Sequence, residues 1–181
     1  MGSHDPNSWR RYQQIHDAEM ARLRASGFIH QDNLTWCAVS GGFRLYGYLA
    51  CPGNITIKVA KTLVVVDHDK EELFVRTVSY AYNAAVHGFN TFLRYDNAHP
   101  IAGSSDRHHR HSVNWRTGAE GPGSPHWVGE DGWPTLGTFI REVRNWYWDN
   151  WTDLEREFDP ATLAPLLDVH DYEKGIEDES R

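Results

Sequence analysis

The chain of 181 residues has few cysteines and no long apolar run. Its two cysteines, Cys37 and Cys51, form no CxxC pair and lie in hydrophobic segments, so we expect buried free thiols and not a disulfide. No stretch approaches the roughly 18 consecutive apolar residues that span a bilayer. The N-terminus also lacks the basic and then apolar pattern of a signal peptide. These absences predict a cytoplasmic protein without a membrane partner.

Positive charge is scarce as well. The 18 Lys and Arg residues stand against 25 Asp and Glu residues, which gives a formal net charge of -7. This balance excludes a nonspecific nucleic-acid coat protein and an electrostatic membrane binder. A net of four negative charges belongs to residues 168–181, which we expect to form an acidic, mobile tail. The rest of the chain carries a net charge of only -3, so its charge is compatible with a compact cationic pocket and an RNA substrate.

The sequence does contain short segments rich in β-branched and aromatic residues, separated by turn residues. In one of them, Ile55, Ile57 and Val59 alternate with Thr56 and Lys58, as is typical of a strand with one covered face. The turns between these segments are short, which favours an antiparallel meander. The predicted strands are 34–39, 43–51, 55–66, 73–84 and 91–95, with a sixth at 112–117.

Apolar residues at helical spacing predict a helix before and a helix after this region. Residues 5–26 open with an Asp-Pro pair that suits a helix start. Residues 134–158 carry an apolar stripe, which we expect to cover the sheet. The sequence therefore predicts a single α+β domain over residues 1–167. In it, a twisted antiparallel sheet of five or six strands within 34–117 is covered by a long C-terminal helix, with an additional N-terminal helix.

Histidine is concentrated between the last main strand and the long helix. Five of the eleven histidines fall within 28 residues, from His99 to His126. Because side chains alternate along an extended chain, we expect His109 and His111 to project to the same face and to meet one ligand. The whole irregular stretch, 97–132, is too long for a simple connector, and loops of this length are often functional.

Three kinds of chemistry suit this loop. In the first, His109 and His111 act as general base and general acid across a phosphodiester, and Arg94 or Arg110 stabilises the phosphoryl charge. In the second, the loop binds zinc or another transition metal. The candidate metal ligands are His99, His109, His111 and Asp96. In the third, the histidines form a solvated, pH-sensitive patch, and Arg94 simply pairs with Asp96.

Three elements of the sequence resemble the TumE-like family. These elements are Tyr80-Ala81-Tyr82-Asn83, Phe92-Leu93-Arg94-Tyr95-Asp96-Asn97-Ala98-His99 and His108-His109-Arg110-His111. TumE-like proteins are toxins of bacterial and archaeal toxin–antitoxin pairs. The resemblance therefore implies a growth-inhibiting toxin that a cognate antitoxin neutralises. That this toxin cleaves RNA is a hypothesis, motivated by the His, Arg and Tyr content of the loop and by analogy with other toxins.

Within this hypothesis each site residue has a predicted role. His109 and His111 are the predicted acid/base pair of a cofactor-free ribonuclease. Arg94 is the predicted phosphate clamp, with Tyr95 and Asp96 as orienting groups. Two alternatives stay open: a noncatalytic binding module whose histidine loop is stapled by a metal ion, or a metal-dependent hydrolase. Unpaired strand edges leave a homodimer open too.

Overall fold

The computed structural model describes residues 6–69, 71–97 and 107–158, and this part of the chain has an α+β fold. Its strands are β1 (Asn7–Ser8), β2 (Gln31–Asp32), β3 (Thr35–Val39), β4 (Gly42–Cys51), β5 (Ile55–Asp69), β6 (Glu72–Val86), β7 (Thr91–Asp96), β8 (His109–Ser112) and β9 (His126–Trp127). Its helices are α1 (Trp9–Ala25), α2 (Gly129–Gly132), α3 (Leu136–Asp149) and α4 (Trp151–Glu157). None of these described helices is both long and apolar enough to cross a bilayer.

All described strands belong to one antiparallel sheet. The main order is β2-β4-β5-β6-β7-β8-β9, with β1 paired to β6 and β3 paired to β4. Along β5, Ile57 is fully buried whereas its neighbour Lys58 is only partly buried. This alternation means that one side of the sheet faces a core and the other side does not. The antiparallel meander expected from the short turns is confirmed.

Helices α1 and α3 pack on the same side of the sheet, which we call the helix face. Ser8 caps α1, since its hydroxyl accepts a hydrogen bond from the Arg11 amide at 3.3 Å. An ion pair of 2.8 Å between Glu19 and Arg141 joins the two helices. The largest fully buried side chains of the core include Tyr82, Phe139, Leu45, Leu49, Ile57 and Ile140. We call the opposite side, which carries Lys58, the far face.

The sheet has nine described strands and not the five or six that the sequence predicts. Strands β1, β2 and β9 have two residues each, which is too short to show a period of two in the sequence. The strand predicted at 112–117 lies at 109–112 instead. The chain turns after it, because the Asn114 side chain accepts hydrogen bonds from the amides of Arg116 and Thr117, both at 3.0 Å.

The predicted long helix, 134–158, is two shorter helices. The break lies at Asn150, where φ is -113° and ψ is 8°, and the Asn150 side-chain amide donates to the Trp146 carbonyl at 2.8 Å. The N-terminal helix begins at Trp9 and not at residue 5, since the two preceding residues pair with β6 as β1. The expectations for His99 and for the acidic tail, 168–181, lie outside the described residues.

Candidate functional site

The far face brings four of the predicted site residues together on β7 and β8. The strand register pairs Asp96 with His109 and Arg94 with His111. Because side chains alternate along a strand, all four project from the same side of the sheet. The ring centroids of His109 and His111 are 5.0 Å apart. We call Arg94, Asp96, His109 and His111 the four-residue cluster.

Asp96 is the buried centre of this cluster. Its carboxylate is fully buried and bridges two cationic or cation-forming neighbours. One oxygen, Oδ2, lies 2.5 Å from Arg94 Nε, and the other, Oδ1, lies 3.0 Å from His109 Nε2. The Arg94 side chain is 42% exposed. A buried carboxylate requires such partners, because an isolated charge without water is strongly unfavourable.

Both ring nitrogens of His109 are engaged. Nδ1 lies 3.0 Å from the backbone carbonyl oxygen of Arg107, and since a carbonyl oxygen only accepts, Nδ1 must donate. In the neutral ring, Nε2 then carries a lone pair that faces a carboxylate oxygen of Asp96. Two acceptors at 3.0 Å repel each other unless a cation lies between them. The geometry therefore requires either a proton on Nε2 or a metal ion bound by both atoms.

His111 is the more accessible histidine of the cluster. Its side chain is 22% exposed, and its Nδ1 lies 3.2 Å from Glu120 Oε1. A hydrogen bond from the Ser124 hydroxyl lowers the pKa of Glu120. Burial opposes this shift, and His111 adds to it. Glu120 is thus a stable anion that can hold Nδ1 as a donor. In that orientation the lone pair of His111 is on Nε2.

Three members of the cluster can hold a metal ion together. One ligand atom each from Asp96, His109 and His111 lies within 4.8 Å of the other two. Imidazole nitrogens and a carboxylate oxygen suit zinc and several other transition metals, which bind such atoms at about 2.0–2.2 Å. Three protein ligands leave at least one position open, which is the arrangement of catalytic sites. The two ring donors, to a backbone carbonyl and to Glu120, are the outer contacts that orient ligating histidines.

Tyr95 and Arg110 lie on the helix face, away from the cluster. The Tyr95 hydroxyl donates to Glu142 Oε2 at 3.0 Å, and Arg110 Nη2 lies 2.7 Å from Glu142 Oε1. Burial, with the nearby Glu142 carboxylate, raises the pKa of Tyr95 to about 12. Among the described residues, the hydroxyl of Tyr95 therefore contacts the helix face and not the cluster in which its orienting role is predicted.

Two residues near the cluster were absent from the sequence prediction. Glu120 contacts His111, and Trp127 packs its ring 5.3 Å from the His109 ring. Neither has a signal in the sequence, because a turn and a two-residue strand bring them into place. The separation of Tyr95 from Asp96 does have a signal, since adjacent residues of a strand face opposite sides.

No family model matches this chain, and neither a curated protein nor a solved structure matches it. The functional interpretation depends on the chemistry of the four-residue cluster, which combines a buried carboxylate, two imidazoles and a guanidinium. Such a set can bind a metal ion and a phosphate group side by side.

Proposed function

We propose that the chain is the toxin of a toxin–antitoxin pair, and that it cleaves RNA with a metal ion bound by Asp96, His109 and His111. The observation that carries the chemistry is that one ligand atom each from Asp96, His109 and His111 lies within 4.8 Å of the other two, with His109 Nε2 and Asp96 Oδ1 at 3.0 Å. These three residues would hold a divalent cation through two imidazole nitrogens and one carboxylate oxygen. The toxin assignment follows the resemblance of the sequence motifs to the TumE-like family.

Each residue of the cluster then has a distinct role. Asp96, His109 and His111 would hold the metal ion, which would polarise a phosphoryl oxygen or activate a water molecule for attack. Arg94 uses Nε for Asp96, and no described residue occupies its two terminal nitrogens. These nitrogens can bind the phosphoryl oxygens on which charge develops. Glu120 orients His111, and the Arg107 carbonyl orients His109.

A metal-free mechanism with His109 and His111 as the acid/base pair requires a rearrangement. His109 has both nitrogens engaged and a side chain that is only 6% exposed, so it must give up a contact before it can exchange a proton with a substrate. His111 can reach a substrate as it stands. Metal-assisted cleavage uses the cluster without such a movement, which is why we favour it.

The experiment compares RNA cleavage by the wild-type chain, His111→Ala and the control His87→Ala. His87 is an exposed histidine in the turn between β6 and β7, so the control removes an imidazole far from the cluster. We expect EDTA to abolish cleavage, added Zn²⁺ or Mn²⁺ to restore it, and His111→Ala to lose about 100-fold or more of the activity. His87→Ala should cleave RNA and arrest growth like the wild type.

Other outcomes point to the alternatives. Cleavage that EDTA leaves unchanged would overturn the metal-assisted mechanism and favour the metal-free one, with His109 and His111 as the acid/base pair. A chain that binds metal, melts at a lower temperature with EDTA, cleaves no RNA and leaves growth unaffected is a metal-stapled binding module instead.

A further inference from the structure

The strand register lines up a row of polar side chains that leads across the far face to the cluster. Residues of five consecutive strands in the sheet stand opposite one another in this row. In order from β4 to β8 they are Tyr48, Lys58, Asn83, Arg94 and His111. The register shifts of the sheet lie elsewhere, between other residue pairs. The cross-strand row is therefore continuous and ends at the candidate metal site.

Three members of the row have polar atoms without a partner among the described residues. Lys58 is partly buried and forms no ion pair among the described residues. Asn83 lies between Lys58 and Arg94, and its Oδ1 is buried without a hydrogen-bond partner in the described structure. Arg94 keeps its terminal nitrogens free of described partners. A buried acceptor without a donor is unfavourable, which indicates that a ligand with N–H or O–H groups completes this site.

The neighbouring row leaves space for an extended ligand. There the register places Ala60 and Ala81 side by side, before Asp96 and His109. The two alanines are small, so the sheet backbone is a shallow floor between larger side chains. Two aromatic residues, Tyr46 and Trp127, stand in this second row, on either side of the two alanines and the Asp96–His109 pair. Aromatic rings beside cationic groups are the usual components of a surface that binds single-stranded nucleic acid.

The geometry points to a single strand of RNA lying across the far face, with its backbone along Lys58 and Arg94 and its scissile phosphate at the cluster. This inference deepens the proposed function and rests on it, because the proposed function places the scissile phosphate at the cluster end of the row. Neighbouring strands are about 4.8 Å apart, so Lys58 and Arg94 are about 10 Å apart, a span that a short extended stretch of nucleic acid can cover. The 2′-hydroxyl or a base N–H can donate to Asn83 Oδ1.

Binding is tested apart from cleavage by using a chain with His111→Ala, in the presence of EDTA, and a fluorescent RNA that keeps its 2′-hydroxyls. The anisotropy of this RNA is measured over a range of salt concentrations. Lys58→Met should weaken binding about tenfold and reduce the slope of log K against log salt by about 0.7, which is the contribution of one phosphate contact on a single strand. The methionine keeps the length and apolar packing of the lysine stem.

The matched control is Arg22→Met, which removes the same charge from an exposed position on α1. It should leave both affinity and salt slope near the values of the parent chain. Equal weakening by both substitutions would overturn the inference, because binding would then follow net charge alone. Equal or tighter binding of the corresponding duplex would overturn it too. If Lys58→Met weakens RNA binding but the wild-type chain cleaves no RNA, the row is retained as a binding surface and the nuclease proposal is rejected. If the wild-type chain cleaves RNA and Lys58→Met leaves cleavage unchanged, the nuclease proposal is retained and the row is rejected.

Discussion

Two arginine–carboxylate networks lie back to back on β7 and β8, and their residues alternate along the chain. On the helix face, Arg110 pairs with Glu142 of α3, with side chains 33% and 32% exposed. On the far face, Arg94 pairs with Asp96, whose carboxylate is fully buried. The first network joins the sheet to a helix. The second joins β7 to β8 and contains the only buried carboxylate among the described residues.

The difference indicates what each network is for. An ion pair that is about one-third exposed can form and break with little change in free energy, so it suits the docking of a helix. A buried carboxylate held by two neighbours is maintained only where the surroundings enforce it, and such groups are common at functional sites. Asp96 stabilises the fold only while its partners are present, and a bound metal ion would be one further partner.

The largest expected effect is on the free energy of unfolding, which should fall more when Asp96 is substituted than when Glu142 is. Asp96→Ala should lower the free energy of unfolding by about 3 kcal/mol or more, since it leaves Arg94 and His109 without their shared partner. Glu142→Ala should lower it by less than about 1 kcal/mol, since its pair with Arg110 is about one-third exposed. Urea unfolding in the presence of EDTA measures both without a contribution from bound metal.

If Asp96→Ala does not fold, Asp96→Asn keeps the shape of the side chain and should still cost more than Glu142→Ala. Equal losses of unfolding free energy at the two positions would mean that the burial of Asp96 adds nothing to its contribution to stability. The contrast between the two faces would then disappear.

The next effect separates Arg94 from Arg110 by activity. Arg94→Ala should lower kcat/KM for RNA about 100-fold, because it removes a donor aimed at developing phosphoryl charge. Arg110→Ala should retain the wild-type activity, since Arg110 contacts Glu142 and Ser112 on the helix face. The measurement is cleavage of one RNA by both variants at matched concentrations of folded protein. A larger loss for Arg110→Ala would contradict this assignment and indicate an active site on the helix face.

Much of this contrast is readable from strand periodicity. The alternation within Arg94, Tyr95 and Asp96 already assigns the middle residue to the other face, and the same holds for Arg110 between two histidines. The partners are not readable in the same way. Glu142 and Glu120 reach their positions through the docking of α3 and through a turn, which depend on tertiary packing.

The same limit applies to the fold. The long strands were predicted because many residues share one period, and the antiparallel class was confirmed. The break in the C-terminal helix was missed, because the apolar stripe continues on both sides of Asn150. The helix ends there at a contact between the Asn150 side chain and the Trp146 carbonyl. The two-residue strands carry no period at all.

The smallest expected effect concerns the pH dependence of the helix-face network. Burial and the Glu142 carboxylate raise the pKa of Tyr95 from its ordinary value of 10.0 to about 12. Between these two pH values the unfolded chain loses the Tyr95 proton while the folded chain keeps its proton bound. The unfolded state is then the one that gains from deprotonation, so the stability that Tyr95 contributes is complete below pH 10 and falls as the pH rises towards about 12.

Tyr95→Phe removes the titrating group and keeps the ring that packs edge to face on Phe139. Its free energy of unfolding should therefore decline less steeply across this pH window than that of the wild type, as measured by urea unfolding at several pH values. Other tyrosines with raised pKa, such as Tyr82, titrate equally in both proteins and cancel in the difference. Parallel declines would show that the Tyr95 hydroxyl is as accessible in the folded chain as in the unfolded one. The contact with Glu142 would then not keep the proton on Tyr95 in the folded chain.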